Sequence, residues 1–292
     1  MPVCLTILGS GSGGNCAYVE TDHARILIDA GFSLRQIRQR LATIGRTPEN
    51  LTGILVTHEH SDHVQGLLQL GQKLRIPIYC NRATQDALYY QLRSRLECRL
   101  FVTGNSFELE DVLVESFSIP HDAQDPVGFL LQTSEGNIGF LTDLGHATKL
   151  ATERVRRANV LVLESNHDIK LLQDCPHRPW SLKQRILGRH GHLSNEAAAD
   201  LAEQIMSSEL HQLFLGHLSG ECNRPEIAYD VMNRRLQKLG ASHVRLEITS
   251  QSVPCPTVTL RRSTLPIASS IPPQVLQERF SQPGPGMQLP LC

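Results

Sequence analysis

Apolar positions in the first thirty residues fall into short aliphatic runs broken by glycine. "VCLTILG", "CAYVET" and "ARILIDA" read as strands, with "SGSGGN" as the loop after the first; branched residues and short turns predict a β-meander. The period then changes. "SLRQIRQRLATIG" sets Leu34, Ile37, Leu41 and Ile44 on one helical face, with Ser33 as N-cap and Gly45 at the C-terminal stop. "LTGILVT" follows as a short buried strand, "VQGLLQLGQKL" as a helix, "IPIYC" as a strand and "RATQDALYYQLRSRL" as a helix. Between Cys98 and Leu141 strands return in "CRLFVT", "DVLVESFSI", "PVGFLLQT" and "NIGFLT". Beyond Asp143, "NVLVLES" and "LHQLFLG" read as buried strands, and "NEAAADLAEQIM" and "RPEIAYDVMNRRLQKLG" as helices.

Two strand-rich blocks, each followed by helix-rich sequence, predict an α/β protein: two sheets face to face with helices outside, a four-layer αββα sandwich. Residues 1–262 form its domain, and no repeat at a fixed period is visible. Residues 263–292, rich in Pro, Ser and Gln, read as a flexible tail.

Composition narrows the picture. The 292 residues suffice for a large core, and a formal net charge of −1 means that any polyanionic ligand must be met by a local basic patch. No secretory signal is visible and no apolar stretch reaches the ~20 residues that span a bilayer. Eight cysteines without a CxxC pair fit reduced thiols and a cytoplasmic protein.

The stretch "VTHEHSDHVQGL" concentrates the chemistry. At an extended strand end, residues two apart point the same way, so His58 and His60 can reach one ion. Asp62 and His63, past the turn, project toward a second position. Imidazole and carboxylate without thiolate suit zinc, manganese or iron, and paired ions are the usual device for clamping the attacking and leaving oxygens of a hydrolysis. A merely polar surface turn is the alternative for a lone HxH; HxHxDH directly after an aliphatic strand is far more specific.

Over about residues 3–260 the chain resembles the metallo-β-lactamase-fold hydrolases. The resemblance rests on "THEHSDH", on His121 in "FSIPHDA", Asp143 in "GFLTDLG" and His217 in "LFLGHLS". It implies two divalent metal ions per chain, zinc or manganese: one held by His58, His60 and His121, the other by Asp62, His63 and His217, with Asp143 bridging. "SGSGGNC", "ESNHD", the two "GHLS" tetrapeptides and "ECN" are similar to the YycJ/WalJ-type branch. That branch implies a cytosolic nuclease with 5′-to-3′ exonuclease character, a hydroxide nucleophile supplied by the metals, and DNA ahead of RNA as the partner, without membrane attachment. Homo-oligomerisation stays open.

The order around "GHLSNEAA" is also similar to the transfer-RNA 3′-processing endonucleases, which implies that His192 gives a proton to the leaving oxygen, beside Asp62 as the other catalytic residue. Histidine titrates in the right range for that task. Alternatively the segment caps the following helix, through Ser194 or Asn195. The glycine loop has two readings as well: a tight turn, or a lining of the site supported by Ser12 or Asn15. Ser12, Asn15, Ser194 and Asn223 are the candidate substrate contacts, and Glu164, Asn166, His167 and Asn223 the candidates for orienting imidazoles. The basic runs "ERVRR" and "KQRILGRHGH" read either as phosphate contacts or as solvated helix faces. The intervals from His121 to Asp143 and from Asp143 to His217 leave no room for an RNA-gripping arm or a large inserted domain. A small-molecule hydrolase on the same fold, a thioesterase or cyclic phosphodiesterase, is the competing reading, and a narrow apolar pocket would mark it. A non-catalytic relative would have lost a ligand.

Overall fold

The structure is a computed structural model that describes residues 2–261. The expected tail, residues 263–292, lies outside the described residues.

The first sheet is built from β1 (Val3–Gly9), β2 (Cys16–Glu20), β3 (Arg25–Ile28), β4 (Gly53–Leu55), β5 (Ile78–Cys80) and β6 (Cys98–Leu100). The second holds β7 (Ser106–Leu109), β8 (Val112–Ser118), β9 (Val127–Thr133), β10 (Gly136–Leu141), β11 (Val160–Glu164), β12 (Gln212–Gly216) and β13 (Arg245–Ile248). The last strand, β14 (Val258–Leu260), returns to the first sheet beside β1, giving the orders β14-β1-β2-β3-β4-β5-β6 and β13-β12-β11-β10-β9-β8-β7. Each sheet is antiparallel on one side and parallel on the other. The change falls at β3/β4 in one, where Ile26 faces Gly53, and at β10/β11 in the other, where Phe140 faces Val162. Parallel strands are covered on both faces, and every residue of β11 and β12 is buried.

The helices are α1 (Leu34–Ala42), α2 (Ser61–Val64), α3 (Leu67–Lys73), α4 (Arg82–Leu92), α5 (Lys149–Val155), α6 (Ile169–Asp174), α7 (Trp180–Leu187), α8 (Asn195–Ile205) and α9 (Pro225–Lys238). Three apolar clusters account for the layers. One lies between the sheets, joining Leu5, Val19 and Ile28 to Val114, Phe129, Phe140 and Phe214. A second packs the outer face of the first sheet against α1, α3 and α4, through Leu27, Ile54, Ile37, Leu41, Leu70 and Leu88. The third packs Leu161, Leu163 and Leu213 against α5, α8 and α9. The four-layer αββα sandwich is therefore observed. Truncating a fully buried ring such as Phe129 to alanine would cost ~3–5 kcal/mol.

Local signals act as their residue types predict. Ser33 forms a capping box with Gln36, Ile37 and Leu41 are buried, and Gly45 takes φ 69 past the helix end. The expected helix from Val64 to Leu74 breaks instead into α2 and α3 around Gln65 and Gly66. Gly66 is pressed onto the turn between β3 and α1: a Cβ there would lie 2.4 Å from the Phe32 carbonyl oxygen. The short strands β7, β13 and β14 and the helix α7 go beyond the periodicity reading, because runs this short carry little periodic signal. All cysteines among the described residues are free thiols, and no described helix is long and apolar enough to cross a membrane.

The end of β3 is stitched to α2 through the backbone. Ala30 N–H donates to the His63 carbonyl (2.7 Å), Asn15 N–H to the Asp62 carbonyl (2.8 Å) and Gly31 N–H to the Asn15 carbonyl (2.9 Å). Gly31 has no room to spare: its Cβ would sit 1.7 Å from the Asp62 carbonyl oxygen and 2.5 Å from Asn15 N. Gly31→Ala is expected to lower stability by at least ~3 kcal/mol in denaturant titrations. Gly45→Ala, which meets open space at positive φ, should cost only about 1–2 kcal/mol. Equal losses would contradict the close approach.

Candidate metal centre

The C-terminal ends of β3, β4, β10, β11 and β12 deliver the site, as expected for ligands at the carboxyl edge of parallel strands. Asp29, Asp143 and His217 follow strands and sit in left-handed backbone, at φ 59, 59 and 55. Asp and His tolerate that conformation better than most residues, at a cost of about 1 kcal/mol or more each. The chain beyond β4 presents Thr57, His58 and His60 and then turns into α2, with His60 as N-cap and Asp62 and His63 in the first turn.

Each imidazole is anchored by one ring nitrogen. His63 Nδ1 lies 2.7 Å from Asp29 Oδ2, and His217 Nδ1 lies 3.0 Å from Glu164 Oε1. His121 Nδ1 lies 3.1 Å from the Gly191 carbonyl, His58 Nδ1 3.0 Å from the Thr57 hydroxyl, and His60 Nε2 3.0 Å from the Asp122 carbonyl. With those nitrogens taken as donors, the other nitrogen of each ring, Nε2 of His58, His63, His121 and His217 and Nδ1 of His60, faces the cluster and is the one open to a cation. Such anchoring fixes the tautomer and orientation of metal-ligating histidines.

The inward atoms form two sets. Donor atoms of His58, His60 and His121 all lie within 4.8 Å of one another, as do those of Asp62, His63 and His217. Asp143 reaches both sets: its Oδ2 lies 3.3 Å from His63 Nε2 and its Oδ1 3.9 Å from His121 Nε2, and donor atoms of His58, His63 and Asp143 also lie within 4.8 Å of one another. His58 Nε2 and Asp143 Oδ2 are buried and make no hydrogen bond. An unmet buried polar atom costs ~1–3 kcal/mol, which a cation between them would recover. All-nitrogen-and-oxygen donors suit divalent zinc or manganese, so the residues fit such ions.

Charge within the cluster is strongly coupled. Burial opposes ionisation of Asp62, but His63 and His217 hold its carboxyl far below the usual range. Burial likewise opposes a charge on Asp143, yet His217 and His63 keep it ionised. Burial also works against protonating His217, but Asp143, Asp62 and Glu164 outweigh it and raise its pKa to about 10. His63 is raised in the same way by Asp143, Asp29 and Asp62, while burial and the neighbouring His63 push His58 well below the usual range. The carboxylates thus hold protons on His63 and His217, and a cation bound there must displace them.

Glu164 and Asn15 support the cluster from behind. Glu164 is fully buried at the end of β11; its Oε1 lies 2.8 Å from His192 Nδ1 as well as 3.0 Å from His217 Nδ1, and its Oε2 accepts from Leu193 N–H (2.8 Å) and Leu144 N–H (3.2 Å). Burial would raise its pKa, but His192 and His217 hold it down to about 2. Asn15 Oδ1 accepts from Ser10 Oγ and Gly11 N–H, while its Nδ2 reaches Asp62 Oδ2 at 3.3 Å. The glycine loop therefore braces Asp62 through Asn15.

In front of the cluster lies a cavity of about 200 Å3 lined by Ser12, His60, Asp62, His121, Asp143, His192 and His217. Of the four residues expected to touch substrate, only Ser12 lines it. Ser194 is the N-cap of α8, accepting from Ala197 N–H, and Asn223 is buried against Asn195 and the Ser165 carbonyl. Asn166 donates to the His217 carbonyl (2.9 Å). His167 anchors none of the imidazoles: neither of its buried ring nitrogens has a hydrogen-bond partner, and burial pushes its pKa down to about 4. Asp29 escaped the sequence reading; its only signal was an acid closing the aliphatic run "ILIDAG". Of the two basic runs, Arg154 and Arg157 pair with Glu115, whereas Arg185 and His190 line the cavity.

Replacing Asp29 with asparagine keeps the shape of the anchor behind His63 and removes its charge. Asp29→Asn is expected to weaken divalent-metal affinity roughly 10–100-fold in chelator-competition titrations; wild-type affinity would remove Asp29 from the site. In wild-type protein, affinity should fall as pH is lowered, because the ions compete with protons on His63 and His217.

The beta-lactamase superfamily domain model matches residues 24–217. Exodeoxyribonuclease WalJ of Streptococcus pneumoniae serotype 2 (strain D39) is 37% identical over 235 residues, covering 79% of this chain and 87% of the relative. Exodeoxyribonuclease YycJ of Bacillus anthracis is 34% identical over 242 residues, covering 82% and 91%. Among solved structures, the metallo-beta-lactamase fold protein YhfI from Bacillus subtilis aligns with a TM-score of 0.64 at 14% identity, over 88% of this chain and 100% of that one, a likeness of fold. With the sandwich, the histidine–aspartate cluster and these relatives in agreement, the chain belongs to the beta-lactamase superfamily, in the family of WalJ and YycJ.

Proposed function

We propose that the protein is a metal-dependent phosphodiesterase that degrades DNA as a 5′-to-3′ exonuclease. The observation that carries this reading is the convergence of His58, His60, Asp62, His63, His121, Asp143 and His217 beside one cavity, in a chain whose relatives are named exodeoxyribonucleases. His58, His60 and His121 would hold one divalent ion and Asp62, His63 and His217 a second, with Asp143 between them. Bound there, zinc or manganese supplies Lewis acidity that activates water and offsets charge on the phosphoryl oxygens.

The remaining work falls to the chain itself. His192 borders the cavity with Nδ1 held by Glu164 at 2.8 Å, which leaves Nε2 to give a proton to the leaving oxygen. Glu164 stays ionised and so keeps that orientation. Asp62, also at the cavity, orients the attacking water besides serving as a ligand. The Ser194 cap sets the start of α8, and through it the segment that carries His192. A thioesterase would want a narrow apolar slot; here Arg178 and Arg185 line the same cavity as the ligands, which suits a phosphate backbone.

The test is purified protein with manganese or zinc on end-labelled duplex DNA, single-stranded DNA, RNA and bis(p-nitrophenyl) phosphate. DNA should be shortened from its 5′ end. Turnover of the small ester alone, with polymers untouched, would overturn the reading. His192→Ala should lower kcat roughly hundredfold or more while bound metal stays at the wild-type level. Asp62→Ala and Asp143→Ala should lose activity and bound metal together. Loss of metal from His192→Ala would show that its role is ligation.

A further inference from the structure

One wall of the cavity comes from a single segment with no part in the ligand cluster. Leu182, Arg185 and Ile186 line it from one face of α7, Arg178 from the turn before that helix, and His190 from the turn after. His60, Asp62, His121, Asp143 and His217 line the same cavity. The segment thus brings two guanidinium groups and two aliphatic side chains to the front of the metal centre.

Both arginines are held at one edge. Arg178 donates through Nε to Glu221 at 3.0 Å, and Arg185 donates through Nε to Asp122. The carboxylates are 54% and 43% exposed, so these are rim contacts, worth little as stability but enough to aim a side chain. A guanidinium held at Nε still offers its terminal nitrogens, and that planar fork matches a phosphate. The other basic run is committed elsewhere: Arg154 and Arg157 converge on Glu115, and Arg156 pairs with Glu153. For a chain of net charge −1, attraction of a polyanion has to come from a local arrangement of this kind.

We infer that this face of α7 is a nucleotide subsite, in which Arg178 and Arg185 bind backbone phosphates next to the one being cut and the half-buried Leu182 lies against the sugar between them, with Ile186 packed beneath it on Leu172, Cys175 and Cys222. The inference rests on the phosphodiesterase reading and deepens it. These arginines are positioning residues: they set the grip on the polymer, and the bond-breaking step belongs to the histidine–aspartate cluster.

Steady-state kinetics of the metal-loaded enzyme on end-labelled DNA, repeated across a salt series, test this. Arg178→Ala and Arg185→Ala should each raise KM about tenfold with kcat within about threefold of wild type. Each should also make the fall of log(kcat/KM) with log salt shallower by about one unit, one phosphate contact being lost. Arg185→Lys should recover part of the KM loss but not all, because an ammonium keeps the charge without the fork. Arg154→Ala, on the run tied to Glu115, should match wild type throughout. Arg185 is 59% exposed, so its truncation leaves the fold intact, and Arg185→Ala decides the matter if Arg178→Ala melts early. Wild-type KM and salt slope in Arg185→Ala, or a loss confined to kcat, would overturn the subsite and leave the nuclease reading standing. A wild-type enzyme that cuts no DNA and hydrolyses only bis(p-nitrophenyl) phosphate would remove both.

Discussion

The whole site depends on tethering imidazole rings by one nitrogen so that the other is free to face inward. A neutral imidazole has one donor and one acceptor nitrogen, and which is which follows from the partner of the donor. Asp29, Glu164, the Thr57 hydroxyl and the carbonyls of Asp122 and Gly191 make that choice for His63, His217, His58, His60 and His121. Remove the tethers and the rings would swivel to pair with one another or with nearby carboxylates. The tethers come from loops far apart in the chain, so the cluster exists only when both sheets are assembled.

Sheet topology explains how so many polar groups reach one buried place. Where antiparallel pairing gives way to parallel pairing, strand ends converge and helices cover both outer faces, leaving the carboxyl edge as the opening. The left-handed backbone of Asp29, Asp143 and His217 turns each chain sharply at that edge. The strain is local, and the packing of Phe129, Phe140 and Phe214 between the sheets is extensive enough to hold it.

Much of this was legible beforehand. The run from His58 to His63 announces itself because its residues are adjacent and follow an aliphatic strand. His121, Asp143 and His217 are single residues, recognisable only through the resemblance to a known family. Asp29 was hidden, because one acid after a strand looks like any turn residue; its role becomes visible only when Thr57 and His63 are seen folded onto it. The cavity wall was half visible. "KQRILGRHGH" showed its charge, but only the packing of Leu182 and Ile186 reveals which way α7 faces. For Ser194 and Asn223 the sequence left two readings, since small polar side chains near a motif serve substrate or structure alike; in the fold Ser194 caps α8 and Asn223 fastens a loop to the Ser165 carbonyl.

One atom in this arrangement serves two masters. Oε1 of Glu164 meets both His217, on the metal side, and His192, on the cavity side. A substitution at position 164 therefore disturbs both rings at once: none there can retune one and spare its neighbour. A change that is to move the His192 ring alone has to come through its flanking loop, with the shared carboxylate left in place.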